Sequence, residues 1–176
     1  MPGKKHVIVT CYDGRLDAIV KTLVEEIRTD GGIVDDKDIF RPPGGVHFVS
    51  ADPRDRSIFY KLLSGYHDIA RTTVFHLLPH TNCQYCGRYH QEKLGNGIQS
   101  DLHFHLRSAE KLLDGALQHF GRLSPDIVPE LDVRIILTVD QRIVTIDEAH
   151  DLLPHVPDHA HGAPCCGHLR STREAA

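Results

Sequence analysis

Three short stretches of this chain carry side chains able to do chemistry together. They are Cys11, Asp13 and Arg15 in "CYDGR", Arg41 at the head of "RPPGG", and His80 with Cys83 in "HTNC". A histidine and a cysteine three positions apart on one loop can grip a single metal ion, and Cys11 can add a third ligand. Two thiolates and a neutral imidazole suit zinc, which is borderline-soft, tetrahedral and at home with sulfur and nitrogen. Three protein ligands leave the fourth position open, as in a catalytic rather than a structural zinc site. Zinc in that setting acidifies a bound water into a hydroxide nucleophile. Two thiolates cancel the ion's formal charge and leave that water less acidic than three histidines would.

Asp13 and Arg15 stand just past Cys11, where both can project toward such a metal. Arg15 can hold Asp13 ionised through a charge-assisted pair. An ionised Asp13 can then accept the hydrogen bond of zinc-bound water, orient it and take its proton. Released from Arg15, Asp13 can instead turn onto the metal as a fourth ligand and close the site. Plainer readings stand beside these. Cys11 alone reads as a buried strand-end thiol, and Asp13 with Arg15 as a helix N-terminal acid with a surface pair.

The elements that must position these residues alternate between strand and helix. "HVIVTC" (6–11) is a continuous β-branched run, as in a strand buried on both faces. Leu16, Ile19, Val20, Leu23, Val24 and Ile27 then follow helical spacing. A turn at Gly31-Gly32 leads to a short strand ending near Phe40, and "RPPGG" (41–45) forbids regular structure. Asp52-Pro53 reads as an N-cap followed by proline at the first helical position, and Ile58, Phe59, Leu62, Leu63 and Tyr66 continue that helix. "TTVFHLLP" (72–79) is a third strand, and 80–97 reads as a loop. The longest helical stripe runs from Ser100 to Phe120, followed by strands at 133–140 and 142–146 and a helical turn or two in "DEAHDLL". This alternation predicts an α/β fold: four parallel strands plus a short antiparallel edge strand, flanked by helices. In such sheets sites form at the carboxyl ends of strands. Cys11, Arg41 and His80 with Cys83 then fall on one sheet edge.

Composition bounds the rest. A chain of 176 residues, 40% hydrophobic and 25% charged, suits one packed domain, taken as residues 1–154 with an irregular tail over 155–176. A net charge of -4 and no Lys/Arg block exclude a nucleic-acid field, and no stretch approaches a membrane span. The N-terminal apolar run is too short for a signal-peptide core, so the cytoplasm is the expected compartment. Five cysteines, an odd number, argue against a disulfide framework.

With these residues in place, the chain resembles the β-class carbonic anhydrases. "CYDGRLD" is similar to that family's Cys-Met-Asp-[Ser/Ala/Gly]-Arg-Leu-Asp segment, and "HLLPHTNC" looks like its hydrophobic strand followed by His-Thr-Asp-Cys. "VRIILTVDQRIVTID" is similar to its late strand and the turn into its last one. The resemblance covers roughly residues 6–150. It implies Cys11, His80 and Cys83 as zinc ligands, Asp13 and Arg15 as the catalytic dyad, and hydration of carbon dioxide to bicarbonate and a proton. It also implies a homodimer or multiples of dimers, with the site near the subunit interface. The surroundings depart from the pattern. Pro42-Pro43-Gly44-Gly45 follows Arg41 where the family has Asn-Ala-Gly. Gln84 follows Cys83 where it has glycine, Asn82 replaces an aspartate, and Cys86 is extra. Pro42 and Pro43 have no N–H to offer the site, and a side chain at Gln84 can narrow the pocket.

These departures keep two other functions open: hydrolysis of another small heterocumulene such as carbon disulfide or carbonyl sulfide, and a non-catalytic zinc-binding relative acting as sensor or assembly subunit. Cys83 and Cys86 can alternatively form a structural zinc knuckle with Cys165, Cys166 and His168, or a redox pair with each other. His76, inside a strand, reads as a packed core histidine. His103 or His105, on the long helix, can act as a proton shuttle to a neighbouring subunit. His155, His159, His161 and His168 read as surface polarity.

Overall fold

Val7, Ile8 and Val9 put β-branched apolar side chains on both faces of His6–Thr10, as in a strand inside a sheet covered on both sides. In the computed structural model, which describes residues 3–46, 53–89, 98–123 and 129–153, it lies in such a sheet. The strands are β1 (His6–Thr10), β2 (Ile39–Phe40), β3 (Val74–Leu78), β4 (Glu130–Leu137) and β5 (Arg142–Thr145). The helices are α1 (Asp17–Thr29), α2 (Pro53–Ala70), α3 (Gln84–Tyr89), α4 (Ile98–Leu123) and α5 (Ile146–Leu152). Strand order is β2-β1-β3-β4-β5. The first three pairings are parallel, and only β4 with β5 is antiparallel, as the sequence predicts.

The two faces of the sheet build two cores. Val7, Val9, Phe75, Leu77, Val133 and Ile135 face α2, α4 and α5, where they meet Leu63, Leu106, Leu112 and Phe120. Ile8, Leu78 and Ile136 face the other way, toward Ile19, Val20, Leu23, Val24 and Ile27 of α1. Each such side chain contributes roughly 1.5–3 kcal/mol on burial. Cys11, Cys83 and Cys86 extend this second core to the carboxyl edge of the strands.

Beyond shifts of a few residues at element ends, two differences from the sequence reading shape the sheet edge. The fourth strand is Glu130–Leu137 rather than 133–140, because 138–141 form the hairpin turn, with Gln141 at φ 52. The loop expected over 80–97 contains α3. Burial of Cys86 and the Gly87 N–H to Cys83 carbonyl bond (2.8 Å) wind it, and neither is visible as periodicity in so short a run. Asp52, residues 90–97 and the tail with His155, His159, His161, Cys165, Cys166 and His168 lie outside the described residues. Among those described, no helix is long and apolar enough to cross a membrane.

Candidate metal centre

The register of β1 on β3 sets Thr10 beside Leu78, so both chains leave the sheet at the same edge as neighbours. After β1 the chain turns through a 3-10 helix at Gly14–Leu16, with Asp13 as its N-cap. Asp13 Oδ1 accepts the Arg15 main-chain N–H (3.0 Å), and the Arg15 guanidinium returns to the same carboxylate at 2.6, 3.0 and 3.2 Å. These bonds from Arg15 outweigh burial and hold Asp13 below the usual carboxylate range. Arg15 Nη2 also donates to the Asn82 carbonyl at 2.8 Å, tying the dyad to the second loop.

That second loop is pinned by threonines. Thr81 donates its N–H to Ile136 O (2.9 Å), and the Thr81 carbonyl accepts the Thr138 hydroxyl (3.0 Å). Thr138 N–H donates to Thr81 Oγ1 at 3.1 Å. The His80 ring lies 2.9 Å from the Thr81 carbonyl through Nδ1. A carbonyl only accepts, so Nδ1 carries the proton and Nε2 keeps its lone pair. His80 is 1% exposed, and its Nε2 is buried with no hydrogen-bond partner. A buried ring nitrogen left bare costs free energy that a metal ion would recover.

The donors around it fit zinc. The ligand atoms of Cys11, His80 and Cys83 all lie within 4.8 Å of one another, and all three residues are buried. Cys11 Sγ and Cys83 Sγ are 4.0 Å apart. Two sulfurs at about 2.3 Å from a tetrahedral zinc stand about 3.8 Å apart, so little movement is needed. Among the described residues this is the group of side chains able to hold a metal. The Cys11 and Cys86 thiols beside it push the Cys83 thiol strongly down, against burial. Cys11 and Cys86, as its hydrogen-bond partners and buried, are pushed up.

The segment after β2 presses on the same place. Gly44 and Gly45 have φ values of 78 and 56, the left-handed region. A Cβ on Gly45 would lie 2.8 Å from the Cys11 nitrogen, and one on Gly44 would lie 2.4 Å from the Tyr85 ring. Gly44 N–H bonds Cys11, so the segment still offers the site one backbone donor despite Pro42 and Pro43. Arg41, just past β2, pairs with Asp17 at the start of α1.

Several expectations change. The Gln84 side chain is exposed on the first residue of α3, and it is Tyr85 that packs against Gly44. His105 is fully buried, its ring 6.4 Å from that of its own chain's His80 and nearly parallel to it, rather than reaching outward to a neighbour; His103 is exposed. His76 is the packed histidine expected, bonded to His6 (2.8 Å) and Asp132 (2.5 Å). Asp101, Thr81 and Thr138 escape sequence reasoning. The spacing of Asp101 and His105 across one turn of a helix is the signal that points to the first.

No protein-family model matches the chain, and no curated protein matches its sequence. Solved structures do match. The β-carbonic anhydrase CafD of the filamentous fungus Aspergillus fumigatus is 12% identical, with 82% of this chain and 90% of that one covered and a TM-score of 0.52. One of two tetrameric β-carbonic anhydrases from the filamentous ascomycete Sordaria macrospora is 11% identical, with 82% and 81% covered and a TM-score of 0.51. The β-carbonic anhydrase CafA of Aspergillus fumigatus is 11% identical, with 86% and 81% covered and a TM-score of 0.50. What this chain shares with them at such identity is the fold.

Proposed function

We propose that the chain is a zinc-dependent, carbonic anhydrase-like lyase that reversibly hydrates carbon dioxide to bicarbonate and a proton. The observation that carries this reading is His80 Nε2: buried, unpartnered, and grouped with the thiols of Cys11 and Cys83. Cys11, His80 and Cys83 hold the ion. When bound, zinc supplies the Lewis acidity that makes water a nucleophile near neutral pH. Asp13 accepts the hydrogen bond of the attacking water and aims it. Arg15 keeps Asp13 ionised and turned toward itself, so the carboxylate would accept a hydrogen bond from water rather than serve as a ligand to the ion. The proton leaves through Asp13 to buffer. The β-carbonic anhydrase fold of the solved structures supports the same chemistry.

Assembly as dimers or multiples of dimers belongs to the same proposal, supported by the tetrameric state of the Sordaria macrospora enzymes; light scattering tests it. Stopped-flow hydration assays on zinc-loaded protein test the activity. Asp13→Ala is expected to keep one zinc per chain and to lose roughly 10²–10⁴-fold in rate. Wild-type rates at the buffer background, with zinc fully occupied, overturn the proposal.

A further inference from the structure

The loop that carries His80 and Cys83 is held from a direction that the ligands and the dyad do not explain. Asn82, between them, sits in the left-handed region at φ 54, a conformation that asparagine adopts more readily than other non-glycine residues. Its side chain is exposed, so what the structure uses is its backbone. The Asn82 carbonyl accepts Arg15 Nη2 at 2.8 Å. On the other side, the Asn82 N–H donates to Asp101 Oδ2 at 2.5 Å, and Asp101 Oδ1 accepts from His105 Nε2 at 3.0 Å. His105 is fully buried and lies nearly parallel to the His80 ring.

The carboxylate of Asp101 is thus shared between the main chain of the metal loop and the histidine behind the metal histidine. Asp101 belongs to the first turn of α4, where an acidic residue is ordinary. Here, however, both its oxygens have partners outside the helix terminus, Asn82 on the loop and His105 one turn on. A charged acceptor with two donors in a largely buried place holds a rotamer firmly.

We propose that Asp101 is a positioning residue for the metal centre: through the Asn82 N–H and His105 it fixes the loop that points His80 and Cys83 at Cys11 and that presents the Asn82 carbonyl to Arg15. The inference rests on the zinc reading above. Outer partners of this kind tune metal affinity by about 10–100-fold.

The test is zinc affinity by competition with a chromophoric chelator, alongside the visible spectrum of the cobalt(II)-substituted full chain. Asp101→Ala removes both bonds and is expected to weaken zinc about 10–100-fold and to alter the cobalt spectrum. Asp101→Asn, which keeps one oxygen acceptor, is expected to recover part of both. Asp114→Ala, on an exposed position of the same helix, is expected to change neither. Should Asp101→Ala not fold, Asp101→Asn against wild type gives the decision by the same two readings. Unchanged affinity and cobalt spectrum, even with a lowered melting temperature, make Asp101 merely structural and overturn the inference. A wild-type chain that binds no zinc overturns the zinc reading itself, which separates the two failures.

Discussion

Replacing His80 by leucine, of similar volume and wholly apolar, should change the sign of its effect on stability with the metal. Without zinc, His80 Nε2 is a buried acceptor with no partner, and removing it relieves about 1–3 kcal/mol. The substitution also loses the Nδ1 bond to the Thr81 carbonyl, worth about 0.5–1.5 kcal/mol. That carbonyl still accepts the Thr138 hydroxyl, so it is not left bare. The zinc-free variant is therefore expected to be as stable as wild type or up to ~2 kcal/mol more stable. With free zinc at a hundred times its Kd, the wild type gains about 2.7 kcal/mol that the variant cannot. For a chain of this size that is a rise in Tm of roughly 5–10 °C. Paired melts in chelator and in zinc measure both arms. A zinc-free variant well below wild type, or an equal zinc shift in both proteins, refutes the reasoning that His80 Nε2 is poised for a metal.

Gly45→Ala should be costly for its size, because its Cβ would lie 2.8 Å from the Cys11 nitrogen and 3.0 Å from the Thr10 carbonyl carbon at a left-handed φ. About 1–3 kcal/mol should be lost in urea unfolding, with weaker zinc binding because Cys11 must shift; a neutral result contradicts the close approach. Asp132 is pushed up by burial, but its bonds to His76 and Arg134 outweigh this and leave it below the ordinary carboxylate value. A depressed carboxylate adds stability above its unfolded pKa of about 3.9, and that stability is lost as pH falls through the folded value. Asp132→Asn should thus be less stable than wild type at pH 7, with the gap closing below about pH 4, whereas a gap constant across that range removes the ion pair from the account.

The parts of the site that could be read from the sequence are those whose geometry is local to one strand end. Cys11, Asp13 and Arg15 fall within five positions, and Asp13 caps the very turn that Arg15 enters. Residues 80 and 83 share one loop. The parallel order predicted from alternating strands and helices then puts both loops on one edge, because β1 lies directly against β3. What stayed hidden depends on distances along the chain or on a single step of helical phase. Whether Gln84 or Tyr85 meets Gly44 is decided by where α3 begins, and no periodicity in a run of six residues reveals that. The Thr81–Thr138 clasp needs the end of β4 to arrive beside the end of β3.

Asp101 is the clearest case, because it needs a whole helix to be in place. The thiols of Cys11 and Cys83 belong to the core on the α1 side of the sheet, whereas Leu102 and Leu106 of α4 belong to the core on the other side. Phe104, between them in sequence, packs with the core on the α1 side. The N-terminal end of α4 therefore crosses the carboxyl edge of the sheet and touches both layers. From that crossing Asp101 reaches the Asn82 N–H while His105 backs His80. The Asn82 carbonyl, in turn, is held by Arg15 from the α1 side. The two layers thus grip the backbone of one residue, Asn82, Arg15 at its carbonyl and Asp101 at its N–H. Moving either layer relative to the other would turn the His80–Cys83 loop, which makes the packing of α4 over the sheet edge part of the geometry of the candidate metal centre.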